Sequence, residues 1–297
     1  IFSRLLDCVQ LIKLNPIWEK NELLSFLEGK ASIMSSWLQN ITYNNGEIPM
    51  VNDSTYHISS TSEELFVYSK SLGIRSKTIP LSTSGYRKIN SNKYELFIDV
   101  GNVGPDYQPG HAHSDTFNFE LLKNEIPIFV DTGISTYEKN FIRQSERATC
   151  AHNTVQIDNI EQTQVWGGFR VANRAKVSSL QETDYYIEAV HDGYRKEGVL
   201  HKRTFQWEEN KITLKDEIDK STNNKSKAFF HLHSSIKKPL LKENKLILHD
   251  LKIQIEFKGF NNIVIADYQL SEGFNKTKSA YKIIVTFDQR LTTTIAI

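Results

Sequence analysis

Cysteine is scarce in this chain. Cys8 and Cys150 are the only two in 297 residues. Two cysteines cannot build a disulfide framework, and with no CxxC pair there is no thiolate metal site. One disulfide between them stays open, but free cysteine is ordinarily a small buried hydrophobe, which is the preferred reading of both. An excess of charge of one sign is missing too. The 36 Lys and Arg against 35 Asp and Glu leave a net charge of +1. This argues against a global nucleic-acid or anionic-membrane role and leaves only a local basic groove open. No apolar run approaches the roughly 20 residues of a membrane helix. The chain opens on Ile1 with no charged-then-apolar leader, so no signal peptide is legible. The expectation is therefore a processed product or an excised piece, and the compartment cannot be read directly.

What is present fits a protein with a real core: 39% hydrophobic and 24% charged residues. The length allows one large domain or two ordinary ones. Helical spacing runs through Phe2, Leu5, Leu6, Val9, Leu11, Ile12 and Leu14, and Pro16 breaks it. A second helix starts at Asn21 with a stripe from Leu23 to Leu38 and stops at Asn44-Asn45-Gly46. Residues 48–54 read as extended or loop. A last helix, 62–70, is opened by a Ser or Thr cap.

From about residue 86 the hydrophobic period changes to two. Strands are expected at 94–100, 117–122, 126–130, 154–157, 175–177, 185–190, 200–207 and 211–218. Others follow at 228–233, 245–248, 252–257, 263–268, 280–287 and 292–297, with turns such as Glu209-Asn210 and Asn223-Asn224 between strands. So many short strands with almost no helix between them predict a mainly β fold, a large antiparallel β-sandwich preceded by a short α-helical segment. The join lies between Leu72 and Tyr86, where Gly73, Pro80, Ser82, Ser84 and Gly85 cluster. The expected division is 1–80 helical and 81–297 sandwich.

The chemistry concentrates in Gly110-His111-Ala112-His113-Ser114-Asp115. If this run is a strand, His111, His113 and Asp115 share one face. Imidazole is the commonest metal ligand and titrates near neutrality, so the segment is a candidate metal or proton-transfer site. Asp131 follows at the end of an apolar run, and His152 opens another. His, Asp and His from three segments, with a fourth position open, suit Zn²⁺ better than Ca²⁺. The bland reading weighs about as much: Asp131 as a turn cap, His152 as a satisfied core histidine. Arg143 and Arg147 carry guanidinium forks that suit carboxylates. Tyr137, Trp166, Phe169, Arg170 and Arg174 are candidates to line a sugar groove, against ordinary sheet packing for each.

An ordered series of motifs then resembles one family. The segments are 110–115, Val130-Asp131-Thr132-Gly133, 147–155 with Cys150-Ala151-His152-Asn153, 164–170, 191–196 and 200–205. In that order they look like the heparinase II/III-like polysaccharide lyases, and 45–54 resembles the end of that family's helical toroid. The resemblance implies a bacterial protein with an α/α toroid followed by an antiparallel sandwich, and β-elimination of an acidic polysaccharide containing uronic acid. By that likeness His113, Asp131 and His152 hold a structural Zn²⁺. His111 serves as the catalytic residue facing substrate, and Asn52, Tyr137, Arg143 and Arg147 contact the polymer. Asp115 is left to hold a histidine tautomer.

The resemblance also implies a periplasmic or extracellular setting, no membrane insertion and no nucleic acid, and it allows a homodimer. The family's catalytic Tyr comes from the toroid, upstream of Asn52-Asp53-Ser54. Only Tyr43 precedes that segment here, outside the expected motif. The toroid therefore reads as truncated, and the chain alone is expected to bind metal with little or no lyase turnover. Rival readings are a non-catalytic carbohydrate-binding or polysaccharide-assembly module and a metal-dependent glycan hydrolase using Zn²⁺-activated water. Heparan-type glycosaminoglycans, alginate and capsular or O-antigen chains all stay open, and the near-neutral charge leans away from heparin itself.

Overall fold

The computed structural model describes residues 1–15, 17, 21–77, 79–81, 84–219 and 225–297. The features read at Pro16, Ser82 and Asn223-Asn224 lie outside the described residues. The chain divides into two compact units, Ile1–Pro49 with His57–Ser84, and Met50–Tyr56 with Gly85–Ile297. The short segment Met50–Tyr56, read from sequence as part of the helical region, folds with the second unit.

The first unit holds helices α1 (Phe2–Leu14), α2 (Asn21–Ile41) and α3 (Ser62–Ser71). Their apolar stripes meet in one cluster around Phe2, Leu6, Val9, Ala31 and Ile74. Helix α3 starts where its sequence says it should. The Thr61 side chain accepts from Glu64 N, and the Glu64 carboxylate accepts from Thr61 N, a reciprocal capping box. Both cysteines are free, and Cys8 is exposed on α1, which corrects the expected burial. Among the described residues no helix is long and apolar enough to cross a membrane.

The second unit is an antiparallel β-sandwich. One sheet orders β1 (Tyr86–Asn90), β2 (Tyr94–Asp99), β3 (Phe119–Lys123) and β4 (Ile126–Phe129). The hairpin of β6 (Gln164–Trp166) and β7 (Arg170–Ala172) stands apart from both sheets, while β5 (Val155–Ile157) pairs with a strand of the larger one. That larger sheet contains β8 (Val177–Thr183), β9 (Tyr186–His191), β10 (His201–Glu208), β11 (Lys211–Ile218) and β12 (Ser226–His231). It is completed by β13 (Leu240–Lys242), β14 (Lys245–Leu248), β15 (Ile253–Gly273) and β16 (Lys276–Ala296). A single core runs between the layers, with Leu96, Ile98, Phe119 and Leu121 from one sheet and Phe205, Leu214, Phe230, Ile283 and Val285 from the other.

Two differences from the sequence reading have clear causes. The four strands expected at 252–257, 263–268, 280–287 and 292–297 are two long ones, β15 and β16. The polar interruption at Lys258–Asn262 is a pair of bulges, helped by Gly259 at φ +85°, so the chain bends without leaving the ladder. The run from Gly110 to Asn118 is not a strand: Pro109–His111 is a 3₁₀ turn, Phe117 has φ +68°, and β3 begins only at Phe119. Strand β10 does alternate as expected, and it points His201 and Arg203 inward with Phe205. A charged residue on the core face demands a partner, and the register supplies Asp216 directly opposite Arg203.

Candidate active site

The site is built around a residue that sequence reasoning missed. Asp53 lies in the Met50–Tyr56 segment, which is pinned by Met50 N donating to Glu120 Oε1 (2.8 Å) and Thr55 Oγ1 donating to the Ile134 carbonyl (2.9 Å). Asn52, at φ +54°, donates to Tyr86 Oη at 3.0 Å. The Asp53 carboxylate then takes three partners. Oδ2 meets His111 Nδ1 at 2.7 Å, Oδ1 meets His113 Nε2 at 2.9 Å, and Arg143 grips both oxygens, Nη2 at 2.7 Å from Oδ2 and Nη1 on Oδ1. Burial alone would raise the Asp53 pKa, but the hydrogen bonds and charges of His113 and Arg143 outweigh it and hold the carboxyl far below its usual range. Asp53 is thus an anion throughout the neutral range, and both histidines turn a donor toward it.

His111 and His113 diverge in exposure because the turn, not strand alternation, separates them. The His111 side chain is 61% exposed, whereas His113 is fully buried. With Nδ1 committed to Asp53, the Nε2 atom is the free nitrogen of His111. Tyr137 and Phe169 surround it, their ring centroids 6.2 and 5.7 Å from the imidazole and 5.5 Å from each other. Both are partly exposed. Burial and the Asp53 charge push the Tyr137 phenol up, so it keeps its proton at neutral pH. Trp166 and Arg170, from β6 and β7, are also exposed at their surfaces, while Arg174 pairs with Asp106 at 2.7 Å.

Behind this surface lies a second, buried histidine pair. His113 and His152 face each other with ring centroids 5.4 Å apart. His152 Nδ1 meets Asp131 Oδ2 at 2.7 Å, and Asp131 is held further by Asn118 Nδ2 (2.8 Å) and Gly133 N (3.0 Å). Burial pushes the His113 pKa down; at His152 the Asp131 charge outweighs burial and raises it. The remaining nitrogens, His113 Nδ1 and His152 Nε2, are buried and have no hydrogen-bond partner. Each imidazole therefore carries a carboxylate on one nitrogen and has the other free, the disposition of a metal-binding histidine with its orienting partner. Asp131 is less open, since both its oxygens are engaged. Among the described residues no group of three or more His, Cys, Asp or Glu is assembled as a metal cage.

The sequence-predicted set is thus brought together, with altered duties. His113, Asp131 and His152 adjoin; His111 stands one layer out. Arg143 and Arg147 are both fully buried. Arg143 clamps Asp53 and packs against the Tyr137 and Phe169 rings, its Cζ 5.2 and 5.0 Å from their centroids. Arg147 donates to the carbonyls of Gly168 (2.7 Å), Ala112 (2.8 Å) and Gly110 (3.3 Å), so it shapes the histidine loop from behind. Asp115 holds no histidine: its Oδ2 has no partner, and the tautomers are set by Asp53 and Asp131 instead. Asn118 and Asn153 were also missed. Asn153 N donates to Asn118 Oδ1 (2.8 Å), and Asn153 Nδ2 donates to the carbonyls of Phe119 (2.7 Å) and Val130 (3.0 Å), tying the three site segments together.

The chain belongs to the Heparinase II/III-like, C-terminal family, whose sequence pattern matches residues 74–297. Among solved structures it is similar to a heparan sulfate lyase from Pedobacter heparinus, with a TM-score of 0.70 at 14% identity over 99% of this chain and 51% of that one. A structure described as heparinase III gives 0.69 at 16% identity, over 99% and 52%. At such identities the likeness is one of fold, and the chain spans about half the length of the structures it matches. No curated protein sequence matches it.

Proposed function

We propose that the chain works in a polysaccharide lyase that cleaves uronic-acid-containing polymer by β-elimination, with His111 at the substrate. The observation that carries this reading is the Asp53–His111 pair: an anionic carboxylate holds Nδ1–H and leaves Nε2 unengaged among the described residues, on a largely exposed ring beside Tyr137 and Phe169. Elimination removes the C5 proton of a uronate, passes through an enolate-like dianion, and expels the glycosidic oxygen from C4 as the double bond forms. Neutral His111 offers a lone pair on Nε2 for that proton; protonated, it places a positive charge beside the carboxylate. In this reading Tyr137, kept protonated, donates to the departing oxygen. Tyr137 and Phe169 also offer faces against which a sugar ring can stack. Arg143 contributes from beneath, by holding Asp53, and Arg147 by holding the loop.

The buried pair fits zinc in two of its three ligands, since His113 Nδ1 and His152 Nε2 are free. In this reading His113, Asp131 and His152 hold the ion, Asp131 reaching it by giving up its hydrogen bond to His152. Zinc there would cross-link three loops and fix the site's shape. Two measurements test the proposal. Zinc titration of the metal-free chain is expected to give one equivalent, lost in His113→Ala. Incubation with heparosan, heparan sulfate or alginate is followed by the ultraviolet absorbance of unsaturated uronate ends. Such ends are expected from a form carrying the complete helical toroid, with little from this chain alone. Binding without unsaturated ends from either form would favour a carbohydrate-binding module, and cleavage yielding saturated ends would favour a hydrolase; both sink the lyase reading.

A further inference from the structure

We infer that Phe274, at the tip of the β15–β16 hairpin, positions Tyr137 for its part in the reaction, a part that itself rests on the lyase reading. The two ring centroids are 4.9 Å apart, with the planes at 74°. That is an edge-to-face pair, a geometry that favours one mutual orientation. The other neighbours of the Tyr137 ring are Phe169 at 5.5 Å, Arg143 at 5.2 Å and His111 at 6.2 Å. Among the described residues the Tyr137 hydroxyl takes no hydrogen bond. No hydrogen bond therefore fixes where the phenol points. Packing on the ring does, and Phe274 is the nearest of these neighbours.

The hairpin tip is fastened to the segment that bears Tyr137. Gly273 pairs with Lys276, so Phe274 and Asn275 alone make the turn, and Asn275 takes the left-handed conformation at φ +57°. Ser271 N donates to the Thr132 carbonyl (2.9 Å) and Ser271 Oγ to the Ile134 carbonyl (2.6 Å). Asn275 N donates to the Ser135 carbonyl (2.8 Å). Gly133, at φ +64°, allows this close approach, since a Cβ there would lie 3.3 Å from Ser271 Cβ. Glu146, which closes helix α4 (Phe141–Glu146), holds the same segment again by accepting from Ser135 N (3.0 Å) and Oγ. The tip and residues 132–135 thus form one block, and Phe274 is kept against the ring two residues further on. Phe274 is half-buried on a turn and lies outside the sandwich core, so replacing it should spare the fold.

Tyrosine nitration by tetranitromethane, followed peptide by peptide on the whole chain, reads how the Tyr137 ring is held without any turnover. Phe274→Ala is expected to speed nitration of Tyr137 severalfold, while Tyr107 and Tyr185, both strongly exposed, react at parent rates. Phe274→Tyr keeps a ring at the tip and should restore the parent rate at Tyr137. In a form that eliminates polymer, Phe274→Ala should lower kcat about tenfold with KM within about twofold, and should lower kcat no further beside Tyr137→Phe. If that form leaves polymer uncleaved, the lyase reading falls, and nitration alone decides whether Phe274 holds Tyr137. Unchanged nitration of Tyr137 in Phe274→Ala, equal acceleration at Tyr107 and Tyr185, or a kcat loss that persists in full beside Tyr137→Phe each overturns the inference.

Discussion

Asp216→Ala is expected to lower the unfolding free energy of the β-sandwich by about 3–5 kcal/mol, because it strands a buried cation. Asp216 is fully buried between β10 and β11. Its Oδ1 accepts from Arg203 Nε (2.6 Å) and His201 Nε2 (2.8 Å), and its Oδ2 from Arg203 Nη2 (3.0 Å). The proton order is set from one end. Gly193 N donates to His191 Nδ1 (3.0 Å), so the His191 proton is on Nε2 and points to His201 Nδ1 (3.0 Å), which puts the His201 proton on the nitrogen facing Asp216. Burial pushes both imidazole pKa values down, so both rings are neutral. Alanine leaves Arg203 Nε and Nη2 and the His201 ring N–H without their acceptor, and the guanidinium charge without its counterion.

The loss reaches the site, because Arg203 Nη1 also donates to the carbonyls of Phe117 (2.9 Å) and Asn153 (2.7 Å), which flank the histidine segments. Urea unfolding followed through buried Trp207 measures it. Asp216→Ala with Arg203→Met should recover much of the deficit, since no charge is then stranded; a double variant as weak as the sum of the singles would refute the mechanism.

The pH dependence has a definite sign. Burial works to raise the Asp216 pKa, but Arg203 and His201 outweigh it and the net shift is downward. A depressed folded-state pKa contributes stability that is present above the unfolded carboxylate value, about 3.9, and is lost as pH falls through the folded value. Asp53 shifts the same way. Stability should therefore fall below about pH 4 more steeply in the parent than in Asp216→Ala.

His111→Ala is expected to cut elimination by about 10²–10⁴-fold in a form that turns over polymer, the usual worth of a positioned acid or base. The side chain is largely exposed and, among the described residues, hydrogen-bonds to Asp53, so the fold should survive. His111→Gln separates the two roles proposed for the ring. Glutamine can donate to a carboxylate but cannot take a proton, so partial recovery assigns charge pairing, and none assigns proton transfer. Turnover within a few-fold of the parent in His111→Ala would remove this residue from the mechanism.

Much of the fold was legible because its signals are local. Alternation in 211–218 and 245–248 reproduces β11 and β14 residue for residue, and Thr61 with Glu64 marks the start of α3. Bulges defeated the reading of β15 and β16, since a polar interruption looks alike in a bend and in a turn. Strands β1, β6, β7 and β13 and helix α4 were not read from the sequence.

The site was half legible. The spacing of His111, His113, Asp131 and His152 is a motif that one pass along the chain reveals. Asp53 is not, because its partners lie 58 to 90 positions away and a lone Asp in a loop looks like any other. Arg143 and Arg147 looked like ligands for a carboxylate, and Arg143 is one; its carboxylate belongs to the protein.

The sequence by itself determined the class: a helical segment, then an antiparallel sandwich, with imidazoles and carboxylates in the order of the family's motifs. Side-chain period and residue type are properties of adjacent positions, so they can be read without coordinates. Only the tertiary structure decided which histidine meets solvent, which nitrogen of each ring is free, and which charges are spent inside the protein. Those outcomes depend on burial and on pairings across long stretches of chain, where folding brings Asp53 beneath His111 and Asp216 opposite Arg203.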